Sequence, residues 1–267
     1  MIAAEDAFDL IGSMENSFVG HLSHLAACTP GMQVIEREEF VLIDSGIPST
    51  WHNFICKVRV AERDIDARID EANAHFEERG LPVTWLLGPT TRPGDLAQRL
   101  TARGLTCVET VPGMIRDLRG FDRPADRPDG VTIRRLENRD ELLCYAHVLA
   151  TADPPQSGAV EFFNKTAATA IAKRRSVTYY LAWFEGKPVG TAELYVDNAL
   201  AGVYSVATVE EARRRGVATA LTVTALTDAF DKGRCLATLQ ASESGQGLYA
   251  RLGFRSRCRF SFFKQDP

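Results

Sequence analysis

Apolar and polar positions change period several times along the chain, and each change predicts an element. Residues 131–136 (VTIRRL) alternate as a half-buried strand does, and Asn138 with Glu141 forms an N-cap pattern before the apolar stretch LLCYAHVLA. A second helix is predicted over 160–174. Three apolar runs follow, VTYYLAWF, PVGTAELYV and ALAGVYSVATV, parted by the polar turns Glu185-Gly186-Lys187 and Asp197-Asn198. Turns of this kind close antiparallel hairpins, so the runs predict a three-strand meander. Residues 217–231 then read as a helix ended by Gly233, and CLATLQ as a short buried strand. GQGLYARL reads as a helix stopped by Gly253, and FRSRCRFSFFK as a last strand.

The first half reads more coarsely. It has a helix over 6–27, strands in EEFVLID and WHNFICKVRV, a helix over 62–78, TWLL, a helix at DLAQRL and a strand in LTCVETVPGMIRDL. This order echoes the later part of the second half. The echo is clearest when DLAQRLTARGLTCVETV is laid against GQGLYARLGFRSRCRFS with Gly104 on Gly253, and an ancestral duplication is one explanation. Between the halves, GFDRPADRPDG is nearly without apolar residues and has the composition of a linker. At 267 residues the chain exceeds the usual size of one domain, so the expected division is 1–120, a linker at 121–130, and 131–267.

Composition narrows the class. Hydrophobic residues at 45% and charged residues at 25% are the balance of a globular chain, and no apolar run is long enough to span a bilayer. Glu5, Asp6 and Asp9 stand where a secretory signal would carry positive charge, so a cytoplasmic protein is expected. Six cysteines lie far apart with no C-x-x-C pair, which points to free thiols rather than zinc or disulfides. A net charge of -4 argues against a nucleic-acid partner. The basic runs Arg213 to Arg215 and Lys173 to Arg175 come without an aromatic platform. His21, His24 and Cys28 fall at i, i+3 and i+7 of the first expected helix and could be drawn as a metal site. Inside an apolar helix they read as core and edge residues, and no metal is expected.

The chemistry concentrates in Arg213-Arg214-Arg215-Gly216-Val217-Ala218. Gly216 removes the side chain where a backbone must approach a ligand, and Ala218 is nearly as small. The first amides of a helix lack internal partners and carry partial positive charge, so a diphosphate can be held there by backbone N–H groups. Three arginines at a helix start oppose the macrodipole, a placement that makes sense when an anion completes the site.

The loop follows a strand ending in VAT and is itself followed by a short strand and then ASESGQGLYARLGF. Together these resemble the GNAT superfamily of acyl-coenzyme A-dependent N-acyltransferases. The superfamily's loop pattern falls on Arg213, Gly216 and Ala218, and its later Leu-Tyr and Gly-Phe pairs fall on Leu248, Tyr249, Gly253 and Phe254. Departures are Ser242 where many members carry Asn, Gly245 where many carry Ala, and Glu210 where Pro is frequent.

The resemblance implies an α/β fold with a mixed, mostly antiparallel sheet flanked by helices, in two tandem GNAT-like domains. It implies acetyl-CoA as co-substrate and transfer of its acetyl group to a primary amine of a small molecule or peptide. Pantetheine would enter a V-shaped opening between GVYSVATV and CLATLQ and pair with backbone of Val206 and Thr208, which flank Ala207. An N–H near Val206 would stabilise the oxyanion. Arg213, Arg214, Arg215, Gly216, Val217, Ala218 and Thr219 would hold the diphosphate, with Ser242, Gly245 and Leu248 along the later stretch. Glu193 is the leading general base, with an exposed strand carboxylate as the alternative, and Tyr204 is the second candidate. Tyr249 would protonate the departing thiolate.

The first half has Leu100 where the second has Tyr249, lacks the R-x-x-G-x-A loop, and begins its helix with the acidic Ala61-Glu62-Arg63-Asp64. It is expected to be a degenerate, non-catalytic copy. A monomer or homodimer is expected, and an acyl-CoA sensor without turnover is the alternative function.

Overall fold

A computed structural model describes residues 4–122, 128–152, 158–173, 176–197 and 200–265, with side chains from Leu10 onward. The centre of the expected linker, residues 123–127, lies outside the described residues, as do Arg174 and Arg175 of one basic run and Asn198 of one turn. The chain forms two compact units. One comprises Met1–Gly113, Gln240–Glu243 and Ser256–Pro267, the other Met114–Leu239 and Ser244–Arg255.

The first unit contains helices α1 (Ala4–Ser23), α2 (Ile65–Glu77) and α3 (Leu96–Ala102). Its strands are β1 (Gln33–Glu36), β2 (Val41–Asp44), β3 (Phe54–Cys56), β4 (Thr84–Leu87) and most of β5 (Leu105–Asp117). The strand order is β1-β2-β3-β4, with β3 and β4 parallel and the earlier pairs antiparallel. Ile65, Ile69, Ala72 and Phe76 recur at helical spacing along α2 and are buried against Phe40, Leu42, Ile55, Trp85 and Leu100. Trp85 keeps its indole N–H satisfied by donating to Asn73 Oδ1 at 2.9 Å.

The second unit runs β6 (Val131–Arg135), α4 (Arg139–Ala152), α5 (Ala159–Ala172), β7 (Val177–Phe184), β8 (Lys187–Val196), β9 (Ala201–Thr208), α6 (Val217–Asp231), β10 (Leu236–Gln240) and α7 (Glu243–Arg251). Its strand order is β10-β9-β8-β7-β6, antiparallel except for the parallel pair β9 and β10. The predicted meander is β7, β8 and β9. The predicted cap is formed: Glu141 N–H donates to Asn138 Oδ1 at 3.0 Å, and the Glu141 carboxylate accepts from Glu137 N–H at 2.9 Å. Helix α6 lies against one face of this sheet and α4 against the other. A Cβ at Gly190 of β8 would come within 2.9 Å of Val217 and 3.1 Å of Leu221, so glycine there lets α6 approach closely. Buried Asp228 locks α6 in place, accepting from Arg135 Nε at 2.7 Å, Arg135 Nη2 at 2.5 Å and Tyr180 Oη at 2.5 Å.

The sequence expectations need three corrections. Helix α1 ends at Ser23, and Cys28 closes a separate 3-10 turn (Ala26–Cys28), so His21, His24 and Cys28 do not share one helix face. The strand expected in EEFVLID is β2, and a further strand, β1, precedes it where none was expected. The last strand, β11 (Arg255–Gln265), does not follow the division at the linker. Residues 256–267 belong to the first unit, where Ser261 to Lys264 pair antiparallel with β4, because a strand goes wherever an unpaired ladder receives it. Among the described residues no helix is long and apolar enough to cross a membrane, and no group of three or more His, Cys, Asp or Glu is placed to hold a metal ion.

Candidate active site

Strand β9 carries the geometry on which the site depends. Against β8 its register runs Glu193 with Tyr204 and then Thr191 with Ala207, so Ser205 and Val206 together oppose Ala192. That is a β-bulge, and Ser205 at its centre has φ +50°, a left-handed conformation that few side chains adopt. Thr191 Oγ1 ties the bulge down by donating to Ser205 O at 2.8 Å. On the other side, β10 pairs with β9 only through Ala201 with Ala237 and Gly202 with Thr238. From Val203 to Thr208 the edge of β9 that faces away from β8 is therefore outside the register with β10, which is the opening expected between these strands.

The strand leads through a 3-10 turn (Glu210–Ala212) into the start of α6. Arg214 at φ +61° and Gly216 at φ +77° reverse the chain. Gly216 is the N-cap, and a Cβ there would also lie 2.7 Å from Pro128 Cγ, so the position excludes any larger residue on two counts. The helix has no side-chain cap and no acidic residue in its first turn. Its own ladder begins when Ala220 N–H donates to Gly216 O at 2.9 Å, leaving the amides of Val217, Ala218 and Thr219 without intrahelical acceptors. Buried Thr208 Oγ1, at the end of β9, has no hydrogen-bond partner among the described residues.

The three arginines are not equivalent. Arg213 donates from Nε to Thr208 O and from Nη2 to Ala152 O, both at 3.2 Å, and so braces the loop against the end of α4. Arg215 stacks over the Phe184 ring at 4.9 Å. Arg214 is exposed and, among the described residues, makes neither kind of contact.

Glu193 is buried, with 3% of its surface exposed, which removes the alternative of a solvated strand carboxylate. Its Oε1 accepts from Tyr145 Oη of α4 at 2.6 Å. Tyr179 of β7 faces Glu193 in the register, and Tyr145, Phe163 and Tyr179 form a triangle of edge-to-face rings with centroids 5.3 to 5.7 Å apart. Burial, reinforced by the Glu193 charge, pushes both the Tyr145 and Tyr179 hydroxyls well above the ordinary phenol range. Tyr204, the second candidate base, is buried with its ring over Gly202. Sequence reasoning missed Tyr145, whose place in the apolar stretch LLCYAHVLA made it look like core.

Tyr249 on α7 is 8% exposed and packs edge-to-face on Phe254 at 6.0 Å. Burial pushes its hydroxyl up to about 12. Gly245 and Leu248 are half-buried on the same helix, whereas exposed Ser242 falls in the 240–243 stretch that clusters with the first unit.

In the first unit the corresponding edge is taken. After β3, Lys57 adopts φ +53°, and the following residues pair with the chain's own segment: Arg92 N–H donates to Val58 O at 2.8 Å and Val60 N–H to Arg92 O at 3.2 Å. Thr90 anchors this segment. Its N–H and Oγ1 donate to buried Glu15, at 3.1 and 2.5 Å, while Arg59 donates to its Oγ1 from Nη2 at 2.7 Å.

Comparison with known proteins agrees with this geometry. Residues 139–254 match the Acetyltransferase (GNAT) family. No curated protein matches the chain. Among solved structures, a GCN5-related N-acetyltransferase from Kribbella flavida is similar over 96% of both chains, at 17% identity and a TM-score of 0.73. One from Sphaerobacter thermophilus covers 88% of this chain and 75% of its own, at 18% identity and a TM-score of 0.62. A tandem GNAT protein from the clavulanic acid biosynthesis pathway covers 96% of both chains, at 16% identity and a TM-score of 0.59.

Proposed function

We propose that this chain, which has the GNAT acetyltransferase fold in its tandem form, binds acetyl-CoA in its second unit and passes the acetyl group to a primary amine. The observation that carries this reading is the open edge of β9, which runs past a bulge and through a short turn to a helix start with neither side-chain cap nor acidic residue. The residues present fit the co-substrate. The α6 amides of Val217, Ala218 and Thr219 suit a diphosphate, with Arg214 adding charge and the unpartnered Thr208 hydroxyl available to a polar group. Backbone groups of Val206 and Thr208 suit the amides of pantetheine, and Gly245 and Leu248 belong to the same reading.

Acetyl-CoA supplies an activated thioester when bound. In this reading Glu193 accepts the proton that an ammonium acceptor must lose, since only the neutral amine attacks. A backbone N–H freed by the bulge near Val206 stabilises the oxyanion. The new bond is C–N and the broken bond C–S; Tyr249 gives its proton to the departing sulfur, and the second proton, shed by the nitrogen as it becomes an amide, restores the phenol through solvent. With its hydroxyl raised to about 12, Tyr249 stays protonated over the range in which the amine deprotonates. The acceptor is a small molecule or peptide. The first unit is read as a degenerate half, its equivalent edge filled by Thr90 to Arg92.

Titration calorimetry of the full chain with acetyl-CoA tests the reading, with one molecule bound per chain expected. Release of free thiol in the presence of a polyamine, an amino acid, a lysine peptide or an aminoglycoside separates enzyme from sensor. Binding without release from a broad amine panel would leave the sensor, and no binding would overturn both.

A further inference from the structure

Glu193 and its surroundings carry one inference that rests on the proposed base and deepens it. Two phenols approach this buried carboxylate, and they are nearly matched. Both rings belong to the same edge-to-face triangle with Phe163, both are buried, and both feel the Glu193 charge. They differ in one hydrogen bond. Tyr145 Oη donates to Glu193 Oε1 at 2.6 Å, whereas buried Tyr179 Oη has no hydrogen-bond partner among the described residues.

We propose that Tyr145 is a positioning residue for Glu193, its hydroxyl fixing the carboxylate beside the β9 bulge and holding it ionised in an aromatic setting that would otherwise favour the neutral acid. The titratable groups facing Glu193 include Tyr145 from α4, Tyr179 from β7 and Tyr204 from β9, with Phe163 of α5 behind the first two. A phenol that donates to a carboxylate stabilises the charged form, and a phenol that does not leaves only desolvation. Through Tyr145 helix α4 is joined to β8 by a polar contact, where Leu142, Ala146 and Leu149 of its buried face are apolar.

The test uses full-length protein carrying carboxyl-13C glutamate, the Glu193 resonance being identified by its absence in Glu193→Gln. Its titration is followed by NMR in the parent, Tyr145→Phe and Tyr179→Phe. Tyr145→Phe should move the Glu193 midpoint up by about one pH unit or more, while Tyr179→Phe, which removes no hydrogen bond, should leave it in place. An unmoved midpoint in folded Tyr145→Phe, or equal movement in both variants, overturns the proposal. Should Tyr145→Phe fail to fold, Leu142→Ala supplies the control for loosened packing of α4. A Glu193 midpoint that rises by about one pH unit or more in Leu142→Ala, where the hydroxyl is retained, also overturns it. The base assignment fails separately. If Glu193→Gln acylates an amine at the parental rate across pH, Glu193 is not the base, whatever Tyr145 does to its titration.

Discussion

Both units contain a strand followed or interrupted by a non-glycine residue in the left-handed region, Lys57 at φ +53° after β3 and Ser205 at φ +50° within β9. Both also end the helix before the last strand of the echo with a left-handed glycine, Gly104 at φ +83° and Gly253 at φ +82°. They part at the neighbouring parallel strand. In the first unit Phe54, Ile55 and Cys56 all pair with β4, and beyond Lys57 the edge is continued by Arg92, so the backbone groups of Val58 and Val60 are spent within the chain. In the second, pairing stops at Gly202 and the edge of β9 is left free of β10. The helices differ in the same sense. α2 begins at Asp64 with Asp66 in its first turn, while α6 begins at Gly216 with no acid. A bulge alone therefore does not make a groove. A ligand of strand-like backbone needs donors and acceptors that the protein has left unpaired.

Four substitutions bear on this contrast. Gly216→Val should weaken acetyl-CoA binding at least about 100-fold, because it strains a left-handed cap and crowds Pro128. Residual stoichiometric binding in calorimetry would mean that the first unit also binds. Tyr249→Phe should lower kcat by about 30-fold with little change in acetyl-CoA affinity, and parental turnover across pH would remove Tyr249 from the chemistry. In the first unit, Thr90→Val takes a hydroxyl from buried Glu15 and from Arg59 and should cost about 1–3 kcal/mol of stability in denaturant titration. Acetyl-CoA stoichiometry should stay at one, and a rise to two would show that the segment had been masking a second site. Thr208→Val should cost the least, about three-fold in acetyl-CoA affinity. Unchanged affinity would mean that its buried hydroxyl serves no ligand.

The sequence made the second half more legible than the first, for physical reasons. The meander, the Gly216 loop and α6 depend on local signals: two-residue periodicity, turn residues and a glycine that permits positive φ. Glu193 was legible as a carboxylate in a strand, but its burial was not, since that depends on α4 docking over β8. Tyr145 lies 48 positions from Glu193, and nothing in LLCYAHVLA marks one of its aromatic positions as polar at its tip. In the first half, short strands such as β3 carry too few residues to show a period.

By itself, then, the sequence determined the elements of the second unit, the left-handed turn that starts α6, and the absence from the first half of a comparable loop. Those follow from side-chain volume, backbone freedom and the spacing of apolar residues, all written locally. Only the tertiary structure decided that β11 joins β4, that Tyr145 reaches Glu193, and that Arg92 closes one edge while the edge of β9 stays open. Backbone hydrogen-bonding groups are the same at every residue except proline, so which strand edges meet depends on the packing that brings them together and not on the residues that carry them.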